Sequence, residues 1–326
     1  VTRIQRVVVL GAGAVGASTA AELALHGHDH LLIGRGKQIR HIAEHGLRYI
    51  RPEGAKTVRL NTVEGIAGAQ LRPGDLIITT VKTQHVEESS QELAWLELEN
   101  NAGLAADLPI LTIQNGLAAE PILARRHHRI YSGSILIPAS YTVTGEVTCS
   151  AAPQRAALAV GKYPGGVDEI LEEIAEILRG IGWQVQTAEQ VIGFKALKLL
   201  SSVRDRLSLF DIEPEREQLL GEALVTEAAA VLRAAGIPIA RSEDRRVDFS
   251  QFQVDVATGY SSTRHSTWQS LQRGGDSEVD WLNGEIVQLG RLHGVATPAN
   301  AALQRSLGLA WRQGAEPGTI AFPEIP

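Results

Sequence analysis

The chain has 326 residues, 44% hydrophobic and 21% charged, an ordinary globular composition whose length suits about two domains. A formal charge of −6 gives no reason to expect nucleic acid as a partner, and no apolar run approaches the ~18 residues needed to cross a bilayer. The single cysteine, Cys149, excludes an internal disulfide, and no cluster has metal-ligand spacing, so no metal is expected. No signal-peptide pattern precedes the first strand, and a cytoplasmic location is the expectation.

The first element carries the strongest signal. Val7, Val8, Val9 and Leu10 are a β-branched apolar run of the kind buried in a parallel sheet. Gly11, Gly13 and Gly16 follow as G-x-G-x-x-G, opening a helical pattern that reaches Leu25. Gly11 permits the turn out of the strand, Gly13 lets a pyrophosphate approach the helix N-terminus, and Gly16 allows close helix–sheet packing. This context points to a dinucleotide-binding βαβ unit rather than an ordinary strand, turn and helix. After Gly27 a second strand is predicted over His28 to Gly34. NAD-binding versions of the pattern usually end this strand in an acid, whereas this chain reads Gly34-Arg35-Gly36-Lys37. A guanidinium at Arg35 suits the 2′-phosphate of NADP, which a carboxylate would repel. The plainer alternative is that Arg35 and Lys37 simply cap a loop.

Leu76 to Lys82 and Pro109 to Asn115 read as further buried strands, with a helix over Gln84 to Glu99 between them. Lys82 and Asn115 then stand at carboxyl strand ends, where open α/β sheets bind ligands, although each alone would more often be a loop residue. Strands are predicted over Ile130 to Thr142, Glu146 to Ser150, Ala156 to Val160 and Trp183 to Thr187. Before the last of these, Val167, Ile170, Leu171, Ile174, Ile177 and Leu178 repeat at a helical period. Strand signals stop near Ala188. The fold class expected is an α/β Rossmann-type domain over 1–188 followed by an all-α domain over 189–326.

In the second half, helices are predicted over Gln190 to Phe210, Glu213 to Ala235, Ser242 to Thr258, Ser277 to His293 and Pro298 to Arg312. Thr297 and Pro298 fit an N-cap and a first turn, and Ser277 with Asp280 is a weak capping-box match. Val279, Leu282, Ile286, Leu289 and Leu292 make one apolar stripe. In the first of these helices Leu197, Leu200, Val203 and Leu207 form an apolar face. Lys195, Lys198, Ser202 and Asp205 form a polar stripe beside it, which periodicity alone would assign to solvent.

Taken together, GAGAVG, Val81-Lys82, Gln114-Asn115-Gly116, Lys198 and the block from Ser266 to Asn300 resemble the ketopantoate reductase (2-dehydropantoate 2-reductase) family. The block is similar to the family's serine, short linker, E-[IV]-D-[YW]-[LI]-N-G and closing T-P-x-N. The resemblance spans nearly the whole chain. It implies a Rossmann domain joined to a helical domain, with NADPH and substrate in the cleft between, and reduction of a 2-oxo acid in pantothenate biosynthesis. It further implies that Gly11, Gly13, Gly16 with Ala14 and Val15, Arg35, Lys82 and Asn115 meet the cofactor. Lys198 would be the catalytic lysine, Glu278 its carboxylate partner, and Asn115, Ser202, Ser266 and Glu278 the substrate contacts.

The chemistry needs those types. Hydride arriving at a carbonyl carbon leaves negative charge on oxygen, so a cation able to give a proton must sit against it. Lys195, one turn away, is the rival acid. The chain departs from the family on the substrate side. Ser202, Asp205 and Arg206 stand where amides are usual, Thr263 is nearest to a family asparagine, and Trp268-Gln269-Ser270 replaces Leu-Gln-Asp. Arg206 would favour a larger or more acidic 2-oxo acid. A related NADP-dependent dehydrogenase with a different 2-oxo or hydroxy acid, and a non-catalytic NADPH-binding sensor, are the competing readings. Lys198 and Glu278 together argue against the sensor. The expected partner is a small 2-oxo acid, with no membrane and with a homodimer left open.

Overall fold

The computed structural model describes residues 3–261, 267–269, 277–316 and 318–322. Alternation along the first strand, β1 (Arg6–Leu10), explains its burial on both faces. Val7 and Val9 join one apolar cluster with Leu32, Leu76 and Ile78, while Val8 and Leu10 join another with Ile33, Ile77 and Ile110. β1 lies inside an eight-stranded sheet. Its spatial order is β13 (Trp183–Thr187), β12 (Ala156–Lys162), β8 (Arg129–Leu136), β7 (Pro109–Thr112), β6 (Asp75–Thr79), β1, β2 (His30–Gly34) and β5 (Thr62–Glu64). Neighbours run parallel except at β12 and β8. The order reverses at β1, which lies between β2 and β6, and ligands of doubly wound sheets bind outside the carboxyl ends at such a reversal.

The helices of this part are α1 (Ala14–Leu25), α2 (Gly36–His45), α3 (Val86–Ala94), α4 (Ala119–Leu123) and α5 (Glu169–Gly180). The helix predicted from Gln84 thus stops at Ala94. A smaller sheet joins β4 (Gly54–Val58), β3 (Leu47–Arg51), β10 (Glu146–Cys149) and β9 (Ala139–Ser140). β3, β4 and β5 were not predicted, because β4 is almost wholly exposed, β5 is only three residues long and β3 carries Arg48 and Arg51 within five residues.

The rest is helical. α6 (Val191–Asp205), α7 (Pro214–Ala234), α8 (Asn283–His293) and α9 (Pro298–Arg312) bury a common core that includes Leu199, Val203, Leu224, Val231, Ile286 and Leu303. The helix predicted over 242–258 is absent. That stretch forms 3₁₀ turns at Ser242–Asp244 and Val256–Thr258 around a strand, β15 (Phe252–Val254), which pairs antiparallel with β11 (Ala151–Pro153). Phe249 is 66% and Val256 73% exposed, so the segment has no apolar face with which to stabilise a helix. The predicted helix from Ser277 also breaks. Glu278 adopts φ 56°, a 3₁₀ turn covers Val279–Trp281, and α8 begins at Asn283. The Ser277 hydroxyl accepts instead from the Val279 amide at 3.4 Å, so no capping box with Asp280 forms at α8.

The chain divides into two compact units. The first runs to Gln114, resumes over Ala119–Val191 and takes in Arg245–Tyr260; the second takes in Asn115–Ala118, Ile192–Asp244 and the residues from Ser261 on. A linear division at residue 188 therefore omits a return segment. No helix among the described residues is long and apolar enough to cross a membrane.

Candidate active site

The turn after β1 is built for close backbone approach. Gly11 has φ +117°, and a β-carbon there would lie 2.7 Å from the Thr80 hydroxyl and 2.9 Å from the Val81 nitrogen. Thr80 fixes the turn by donating to the carbonyls of Leu10 and Gly11 at 3.0 and 2.9 Å. A β-carbon on Gly16 would run into the Gly11 carbonyl. Gly13 differs, since nothing lies within 4 Å of where its β-carbon would stand. Gly13 is the N-cap of α1, no side chain caps that end, and the first turn of Ala14, Val15 and Gly16 contains no acid. An open, uncapped helix N-terminus at the reversal point of the sheet fits a pyrophosphate.

At the tip of β2, Arg35 has extended backbone (φ −130°, ψ 151°) and caps α2 without a side-chain hydrogen bond. Its guanidinium reaches Glu88 at 3.3 Å, and both groups are exposed. Lys37 is exposed beside it. Two residues at this tip escaped the sequence reading. Glu64 pairs in register with Gly34, and its Oε1 accepts from the Gly36 amide at 3.2 Å and from Arg40 at 2.6 Å. The loop holds no acid, but the neighbouring strand delivers one. Strand register is invisible in a single sequence, whereas Arg40 was discoverable as the next turn of α2.

Lys82 and Asn115 lie beyond the strand ends, which come at Thr79 and Thr112, and both are half-buried. Gln114 explains how the two loops are fixed. Its amide donates to the carbonyls of Thr79 and Val81, each at 3.0 Å, tying the loop after β7 to the loop after β6. Gly116 has φ +78°, and a β-carbon there would lie 2.6 Å from the Trp281 carbonyl oxygen, so Gln-Asn-Gly requires its glycine.

On α6 the buried face is Ala196, Leu199 and Val203, continued by Leu207, whereas Leu197 and Leu200 are half-buried. The polar stripe is not a solvated face. Lys195 is 2%, Ser202 6% and Arg206 3% exposed, Lys198 is half-buried, and Asp205 is exposed. Glu278 is buried in a left-handed conformation that a side chain disfavours, a strain that tends to persist at functional positions. Burial pulls the Arg206 guanidinium below its usual range, and the charges of Asp205 and Glu278 oppose that shift. Ser266, Thr263 and Ser270 lie outside the described residues. No group of potential metal ligands occurs among the described residues.

A doubly wound sheet with a glycine turn and an open helix N-terminus at its reversal point is the build of a dinucleotide-binding enzyme. The family model described as Ketopantoate reductase PanE/ApbA matches residues 7–165, and Ketopantoate reductase PanE/ApbA C terminal matches residues 205–309. The chain belongs to the ketopantoate reductase family. The 2-dehydropantoate 2-reductase of Pyrococcus horikoshii is 27% identical over 302 residues, 91% of this chain and 95% of that one. Its namesake from Archaeoglobus fulgidus is 28% identical over 310 residues, covering 92% and 96%. Among solved structures, a PanE/ApbA family ketopantoate reductase from Ralstonia eutropha is similar with a TM-score of 0.77 at 24% identity, covering 95% of this chain and 99% of that one. D-mandelate dehydrogenase with NADH and anilino(oxo)acetate is similar in fold with a TM-score of 0.77 at 19% identity, over 95% and 99%.

Proposed function

We propose that this protein reduces a 2-oxo acid to the 2-hydroxy acid with NADPH, and that ketopantoate, reduced to pantoate, is its substrate. The observation that carries this reading is the match over 91% of the chain to a relative named 2-dehydropantoate 2-reductase, in a sequence that keeps Lys198 and Glu278. The division of labour would follow the two units, with most cofactor contacts on the sheet-bearing unit and catalysis on the helical one. Gly11, Gly13, Ala14, Val15 and Gly16 would hold the pyrophosphate, Arg35 the 2′-phosphate, and Lys82 and Asn115 the rest of the cofactor. When bound, NADPH supplies the hydride.

The remaining work belongs to the side chains. The Lys198 ammonium holds the carbonyl oxygen, stabilises the charge that develops on it and gives it a proton. Glu278 keeps Lys198 protonated or accepts from a substrate hydroxyl. Ser266, Ser202 and Asn115 orient the carboxylate and carbonyl. A second reading, a 2-oxo acid more acidic than ketopantoate, is favoured by the buried Arg206 where the family usually has an amide. Steady-state kinetics with ketopantoate and a panel of 2-oxo acids, followed by loss of NADPH absorbance, test both. Turnover with ketopantoate foremost supports the first reading, and preference for an acidic 2-oxo acid supports the second. Tight NADPH binding without turnover of any 2-oxo acid would favour a sensor.

A further inference from the structure

The tip of β2 carries mixed charge. Arg35, Lys37 and Arg40 supply the cations, and Glu64 and Glu88 supply the acids. Glu64 is the one placed by the sheet itself. Its parallel pairing with Gly34 sets its carboxylate on the first amide of α2, the Gly36 N–H, with Arg40 on the same oxygen. A carboxylate beside the end of the second strand is the group that accepts a ribose 2′-hydroxyl in NAD-binding sheets. Here it arrives from the neighbouring strand instead of from the loop. It also occupies the amide and the arginine that a 2′-phosphate would use.

We infer that Glu64 selects between the two nicotinamide cofactors, accepting the ribose 2′-hydroxyl of NADH and opposing the 2′-phosphate of NADPH that Arg35 and Arg40 attract. The inference rests on the dinucleotide reading above and deepens it. The ion pair between Arg40 and Glu64 is solvent-exposed on both sides, so it is individually weak and a phosphate can displace it. The site is therefore tuned between the cofactors rather than committed to one. Arg35 pairs with Glu88 on α3, which lies off the strand register and contacts no α2 amide. Glu88 thus serves as the control.

The test is titration of the full-length protein with NADPH, NADH and the probe 2′,5′-ADP, in wild type, Glu64→Gln and Glu88→Gln. Glu64 is an exposed edge-strand residue, so the amide variant keeps the fold. Glu64→Gln is expected to tighten NADPH and 2′,5′-ADP roughly tenfold and to weaken NADH severalfold. Glu88→Gln is expected to leave NADH unchanged. An NADPH-to-NADH affinity ratio in Glu64→Gln equal to that of wild type would overturn the inference. Wild-type protein that binds none of the three ligands would overturn the dinucleotide reading itself, a distinguishable failure.

Discussion

Lys195 and Lys198 lie one turn apart on α6 in different surroundings. Lys195 is 2% exposed, whereas Lys198 is half-buried, which lets it meet a substrate without losing all its hydration. Removing a general acid typically costs ~10²–10⁴ in rate. Lys198→Ala should lower kcat by that order with NADPH affinity preserved, while Lys195→Ala should lower Tm more than kcat; single-turnover kinetics and thermal melts separate the two. At the β2 tip, a hydrogen bond to a charged group is worth about 1.5–3 kcal/mol. Arg35→Ala should therefore shrink the ratio of NADPH to NADH affinity by roughly tenfold or more. An unchanged ratio in fluorescence titrations would remove Arg35 from the phosphate site. The glycine turn was legible in the sequence because its spacing along one segment carries its meaning, whereas Lys198 was singled out only by the resemblance to the family. Glu64 and Gln114 were not legible, since what they touch is set by strand pairing and by loops meeting across the sheet.

Elements supply the rigidity behind those residues. Asn283 and Asn300, both from the block that resembles the family, do structural work within the helical unit. Asn283 donates to the Val203 carbonyl at 3.1 Å and to Asn300 Oδ1 at 3.0 Å. Asn300 donates to the Leu224 carbonyl at 3.1 Å and to Glu227 at 2.8 Å. Glu227 also accepts from the Ala299 and Asn300 amides at 2.8 and 2.9 Å, so α7 caps α9. Both asparagines are fully buried. Asn300→Ala removes its side-chain bonds to Asn283, the Leu224 carbonyl and Glu227, and at a net ~0.5–1.5 kcal/mol for each bond the loss should come to about 1–3 kcal/mol. Urea unfolding should show a loss of that size, with NADPH affinity unchanged in the folded fraction. The long helices and buried strands of the fold were readable from periodicity. The 242–258 segment was not, because its pairing partner lies about a hundred residues earlier in the chain.

For the whole molecule, acid sensitivity has a defined source. His127 is 4% exposed, neither ring nitrogen has a hydrogen-bond partner, and burial lowers its pKa to about 4, with Arg126 and His128 adding like charge. The unfolded chain titrates near 6.5, so the unfolded state binds the proton more readily. Stability is fully present above that value and falls as pH drops toward about 4. Between pH 7 and pH 5 this one group should remove roughly 2 kcal/mol. Urea titrations at the two pH values should show that loss in wild type and its near absence in His127→Leu. A different consequence follows from the way the chain is threaded. β15 pairs with β11 as a separate two-stranded ribbon of the first unit, yet along the chain it lies between stretches of the helical unit. A chimera of two relatives spliced once near Val191 would pair one parent's β11 with the other's β15. Recombination that respects both units must carry Arg245–Tyr260 with the first unit. The helical unit is thus inherited in pieces rather than as a tail.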